Sequence, residues 1–446
     1  MSKEREPHRY RPPESPRPRP GEERRDVALR ELLRSPLEDS PPRRRLHPVL
    51  AVAAGLVVAA AAIAIPVLML GGDGAGDGSA ASTTAEDTGT GTGAETPGST
   101  AATTTTLPGV EGYPDARVFS LAADVGGGRI MLLGGVRPTR NLLGSTGFDD
   151  VWLYEIGSDR WFDISGVPRP VARFGASLAF DTSARELVLF GGGSGGPRWC
   201  RPGPRCGLNV LGDTWVFDPG SFGWTSLDPA SPPAARSGQA MVYDSSANRI
   251  VMFGGVVLSG QVARLLGDTW LYDAAANTWT EVDTEDPPAP RHSQAMVYDG
   301  DRDRVLMWGG SIEYGIEPDT SVWSYDPEEA AWAETPMAGG PPMLTGAVLV
   351  WIPGGGTYLI GGEGEITREI AEGVTATEPG WSEQVWRLDL EAGAWEEMQP
   401  LPEAPVGHAA AYDPVSERIV LVWEGRTALY DPRTGEWSDR TPAEQG

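Results

Sequence analysis

The chain has 446 residues, with 62 Asp and Glu against 36 Lys and Arg and a net charge of −26. So acidic a surface disfavours nucleic acid and anionic lipid as partners. The 58 Gly and 40 Pro predict a chain dense in turns, and a composition rich in Arg, Ala, Gly and Pro, with Lys3 the only lysine, points to a high-GC bacterial genome.

Residues 1–47 are rich in Pro and Arg and hold too little apolar surface to form a core, which predicts a disordered cytoplasmic tail. Val27, Leu29, Leu32 and Leu33 give residues 24–38 a short amphipathic turn suited to a cytoplasmic partner; a basic tail that merely sets topology is the plainer alternative. Residues 48–70 are a continuous uncharged apolar run, long enough to cross a bilayer as a transmembrane helix. Arg43, Arg44 and Arg45 precede it, and no Lys or Arg follows until Arg117. The positive-inside rule then predicts a single-pass cell-membrane protein with a cytoplasmic N-terminus and an extracytoplasmic remainder. A cleaved signal peptide is the alternative, opposed by the long charged segment ahead of the run. Residues 71–112 are Gly, Ala, Thr, Ser and acid, the composition of a flexible stalk.

From residue 113 one unit recurs six times. Its second half is an apolar and aromatic run ending in an acid, with a Trp six residues on: Glu155 to Trp161, Asp218 to Trp224, Asp273 to Trp279, Asp326 to Trp332, Asp389 to Trp395 and Asp431 to Trp437. Its first half runs from an Arg to a glycine pair, as from Arg236 to Gly254 and Gly255, or from Arg291 to Gly309 and Gly310. Unit five has Met343 and unit six Pro405 at the Arg position, and Trp423-Glu424 replaces the last glycine pair. Four short β-branched and aromatic runs per unit, with turn residues between, predict an antiparallel meander of strands A to D. One such sheet cannot bury both faces alone, but six packed radially can.

The paired glycines, the Tyr and the spaced Trp resemble the kelch repeat. The resemblance covers residues 113–446 and implies an all-β fold, a six-bladed kelch-type β-propeller, here preceded by one transmembrane helix and disordered segments. With the N-terminal features it reads as a membrane-anchored bacterial member. Two routes to ring closure stay open: blade six packing directly on blade one, or a strand borrowed from residues 103–112.

The A–D order places the A–B and C–D turns on one face and the B–C and D–A loops on the other. The B–C loops vary most in length, and variable loops on a rigid scaffold are where binding usually lives. Candidate ligand-binding residues there are Arg117, Arg173, Arg236 and Arg291, each just before an innermost strand, with Gln239, His292 and Gln294 beside them. The arginines suit a ring of anion or hydroxyl contacts; the alternative is pairing with framework carbonyls or with Asp150, Asp213 and Asp268. Trp199 and Trp381 in the longest loops suit stacking on a sugar or a protein partner, with Trp423 and Glu424 near the same area. Cys200 and Cys206 flank a Pro-Gly-Pro turn and predict a disulfide-closed loop in an oxidising compartment.

Other chemistry finds little support. The copper site of galactose oxidase, an enzyme on kelch-like blades, needs more His ligands than His292 and His408, so neither metal nor cofactor is expected. Arg304 and Gly310 break the calcium-loop pattern that begins at Asp299. The resulting expectation is an extracytoplasmic recognition module for a glycan or an envelope protein. The alternative from another class is a carbohydrate-active hydrolase or lyase using Glu313, Glu317, Glu363, Glu365 or Glu369.

Overall fold

The computed structural model describes residues 109–138, 147–166, 168–194, 209–259, 262–312, 319–371 and 374–442. All the regular structure among them is β-strand. Each unit forms a four-stranded antiparallel sheet in the order A, B, C, D. The innermost A strands are Leu121–Asp124, Ser177–Asp181, Ala240–Asp244, Ala295–Asp299, Val348–Ile352 and Ala409–Asp413. Each packs on the A strand of the next blade, and the sixth packs on the first, so the circle is complete.

Burial falls from the second strand outward, and the residues follow it. The B strands Arg129–Leu133, Arg249–Phe253 and Arg304–Trp308 are buried at every position after the first, because a neighbouring blade covers each of their two faces. Their sequences are accordingly apolar throughout rather than alternating. The D strands Thr278–Val282 and Ala331–Thr335 bury only Trp279 and Trp332 and are otherwise wet. Those closing tryptophans pack against an aromatic of strand C in their own blade, as Trp279 does on Tyr272 with ring centroids 4.8 Å apart. They also reach the preceding blade: Trp332 Nε1 donates to Thr269 Oγ1 at 2.9 Å, and Trp279 Nε1 to Thr214 Oγ1 at 3.4 Å.

Blade six packs directly on blade one. Val110–Gly112 does form a strand, but it pairs with Arg160–Asp163 at the outer edge of blade one and does not enter blade six. The seam is instead a mixed core of Ile130, Leu132, Trp161, Val420, Val422 and Leu429. Trp161 Nε1 donates to Thr427 Oγ1 at 3.1 Å across it, and Tyr113 shares the same hydroxyl at 2.8 Å.

Two expectations need correction. The single-pass membrane location, with an extracytoplasmic propeller, does not stand: among the described residues no helix is long and apolar enough to cross a membrane. Residues 48–70, on which it rested, lie outside the described residues, as do residues 24–38, Trp199, Cys200 and Cys206. The place of the Arg in blade five belongs to Leu344, not Met343, since Gly310 N–H of blade four donates to Leu344 O at 2.9 Å just as Gly255 N–H donates to Arg291 O at 2.8 Å.

Candidate functional site

The four arginines are among the most buried side chains of the protein, each about 1% exposed or less. Arg117 binds both carboxylate oxygens of Asp150 at 2.6 and 2.7 Å, Arg173 those of Asp213 at 2.9 and 2.8 Å, and Arg236 those of Asp268 at 2.7 and 2.8 Å. Arg291 pairs with Asp319 at 2.7 Å. Each guanidinium also donates to the first glycine carbonyl of its blade: Gly134, Gly191, Gly254 or Gly309. The strand-C tryptophans Trp152, Trp215, Trp270 and Trp323 donate to the same aspartates at 2.7 Å. Burial alone would raise these carboxyls; the hydrogen bonds and charge of the arginine, with the indole N–H, outweigh it and hold all four below the usual range. Each nitrogen of the fork is thus engaged, with Nε donating to Asp115 O, Val171 O, Ala234 O or Ala289 O, and the arginines hold the D–A turn to strands B and C.

Gln239 and Gln294 join blades. Their side-chain amides donate to Phe190 O and Phe253 O, the carbonyls just before the glycine pairs of the preceding blades, both at 2.8 Å. His408 does the same work in blade six, with Nε2 3.0 Å from Ile360 O. These side chains lie over the first glycine of the preceding pair. A Cβ on Gly191 would sit 3.0 Å from Gln239 Nε2, and one on Gly361 would sit 2.6 Å from the His408 ring. In blade six Trp423 stands in place of that glycine; the position three residues after the place of the arginine is Ser120 in blade one, Ala176 in blade two and Ala347 in blade five, and only blades three, four and six carry Gln or His there. Trp423 is buried, with Nε1 3.1 Å from Glu403, while Glu424 is exposed and its N–H donates to Arg117 O at 3.0 Å, closing the ring. His292 is buried as well, with Nδ1 3.0 Å from Ser293 Oγ; desolvation lowers its pKa to about 4.

The channel mouth is made by a second set of residues. Two positions beyond each arginine, and beyond Leu344 and Pro405 in blades five and six, the backbone turns left-handed, at Phe119, Gly175, Gly238, Ser293, Gly346 and Gly407. Four of these link in sequence round the mouth: Gly238 N–H to Gly175 O at 2.7 Å, Ser293 to Gly238 at 2.7 Å, and Gly346 to Ser293 at 2.8 Å. Phe119 N–H continues to Gly407 O at 2.6 Å. Four of these positions are glycine and one is Ser293; Phe119 is the bulky exception, a side chain at φ +59° that costs about 1–3 kcal/mol of backbone strain. Its ring packs 6.1 Å from that of Trp381. Sequence reasoning did not single out Phe119, although aligning the six units would have shown it standing where glycine prevails.

The B–C connections set the blades apart. Blade six turns with two residues between Arg418–Trp423 and Arg426–Asp431. Blade three adds a hairpin, Val256–Ser259 with Val262–Leu265. Blade five adds a longer one, Glu363–Ala371 with Val374–Trp381, anchored on Leu344–Thr345. Glu363 and Glu365 stand on one face of this hairpin by the period of two. Glu363 is half-buried, and burial raises its carboxyl to about 7; Glu365 is exposed. Glu313 and Glu317 lie outside the described residues, and the side chain of Glu369 is not described.

Comparison with known proteins agrees with this geometry. The family described as the KLHDC2/KLHL20/DRC7 Kelch-repeats domain matches residues 121–362 and, overlapping, 257–439. The chain belongs to the kelch-repeat family. Kelch relatives include Adagio-like protein 3 of rice (Oryza sativa subsp. japonica), 27% identical over 62% of this chain and 41% of the relative. Multiple epidermal growth factor-like domains protein 8 of human is 28% identical over 51% of this chain but only 8% of its own length. The Rab9 effector protein with kelch motifs of rat is 26% identical over 48% of this chain and 54% of the relative. The chain therefore spans about half or less of these relatives, and what it shares with them is the kelch array.

Proposed function

We propose that this kelch propeller is a protein-recognition module whose partner docks on the B–C and D–A loop face, over the channel mouth. The observation that carries this is the contrast between frame and loops. Blades one to four repeat the same Arg–Asp–Trp lock, while their B–C connections, and those of blades five and six, range from a two-residue turn to a strand pair. A rigid ring with individually varied loops presents a surface that differs at every blade, which suits a protein epitope better than a small ligand. The rat relative, named as an effector of Rab9, is in keeping with a protein partner.

Photo-crosslinking in the source cells tests it. A crosslinking residue at Thr377, exposed on the blade-five hairpin, should yield a discrete protein adduct that excess unlabelled chain competes away. The same residue at Glu391, in a C–D turn on the opposite face, should not. Equal adducts from both positions, or none from Thr377, would count against this face. Release of sugar ends from a polysaccharide would instead favour the hydrolase alternative.

A further inference from the structure

The blade-five hairpin ends at the channel mouth, and three side chains converge there. Thr345, Glu363 and Trp381 are register partners across the three strands of the small sheet, so Glu363 and Trp381 lie side by side on one face. Trp381 leans over the left-handed ring: a methyl group on Gly346 would lie 4.0 Å from its Cη2, and Phe119 of blade one lies on its other side at 6.1 Å between centroids. A Cβ on Gly407 would approach the Phe119 ring to 2.9 Å, so the pair spans the mouth from blade five over blade six to blade one. All three side chains are half-buried, neither sealed in the core nor fully wet.

We propose that Phe119, Trp381 and Glu363 form a receptor for a single cationic side chain, a lysine or arginine of the protein partner; this rests on the protein-recognition function proposed above. Three observations converge on it. Aromatic faces attract a cation through the ring quadrupole, and more so where water is partly excluded. Glu363 is the register partner of Trp381 and is half-buried beside it, which sets a carboxyl where it can serve as the counter-ion. Phe119 keeps a left-handed backbone that glycine occupies in four of the six blades, and strain at a bulky residue clusters at functional sites. The net charge of −26 draws a basic segment to the surface and repels an acidic one.

Random dodecamer peptides displayed on phage and selected on the immobilised full chain provide the test. Enriched peptides are synthesised with each lysine replaced by norleucine and each arginine by citrulline. One such replacement should weaken binding about tenfold on the natural chain. The same replacement should matter less than about twofold on Glu363→Gln or Phe119→Gly, because the receptor is already lost. Phe119→Gly also relieves the left-handed strain, so an undiminished melting temperature separates lost binding from lost fold. Peptides that bind the loop face, competed by the Thr377 adduct, but with no basic residue or with equal sensitivity in the variants, overturn the receptor and leave the recognition surface standing. Selection that enriches no peptide, or only peptides crosslinking to Glu391, overturns both.

Discussion

A guanidinium fork buried against its own blade has a measurable consequence at the scale of one residue. Arg236→Ala would leave the Asp268 carboxylate and the Gly254 carbonyl without their donor, and is expected to cost about 3–5 kcal/mol, read as a lowered urea midpoint. Binding by the folded fraction should not change, since the side chain is closed off from the mouth. The aspartates of the four locks titrate below their usual range in the folded state, so their contribution is full above about pH 4 and is lost as pH falls through the depressed values. The buried histidines act higher. Burial lowers His408 to about 4 against an unfolded value near 6.5, so the unfolded chain takes up the proton first. Stability is therefore full above about pH 6.5 and declines toward pH 4, by up to about 3 kcal/mol for this one group. His408→Gln places there the side chain that Gln239 and Gln294 already use, and should make the pH 4–6.5 limb of a melting-temperature profile shallower, leaving the share of His292, while holding the bond to Ile360 O.

Strands and turns were legible because each obeys a local rule, and the six-residue step to a closing tryptophan located strands C and D. The Arg–Asp lock was half legible. Asp150, Asp213 and Asp268 stand two residues before the strand-C Trp, but Asp319 stands four before Trp323, and spacing alone does not select it. Blade five, with no Arg, slipped by one residue, because only the Gly310–Leu344 bond reveals the equivalence. Contacts between blades were the least legible: that Gln239 reaches Phe190 O, or that Phe119 meets Trp381, depends on residues distant in the chain. The inter-blade bond of the closing tryptophans carries its own prediction. Val151 and Val385 occupy the place of Thr214, Thr269 and Thr427, and the Trp224 and Trp437 indole N–H groups packed on them lack a partner among the described residues. Val151→Thr should supply one and raise stability by about 1 kcal/mol in equilibrium denaturation. An unchanged or lowered midpoint would show that the lost methyl outweighs the new bond.

At the scale of the whole molecule the ring is one cooperative object, because each apolar cluster is shared between adjacent blades. Removing residues 405–446 would uncover the partner faces of blades five and one together. The remainder is expected to lose its cooperative melt altogether, where six independent sheets would lose only one part in six. The acidity of the chain was legible in the composition, whereas the way the circle closes was not, since both routes fitted the same residues. The route taken has a mechanical consequence. Among the described residues no strand crosses from blade six to blade one, so tension applied between Gly109 and Pro442 falls on side-chain packing and on bonds such as Glu424 to Arg117 and Trp161 to Thr427. Under a steady pull the ring should part at this joint first, giving a small early extension before any single blade unravels.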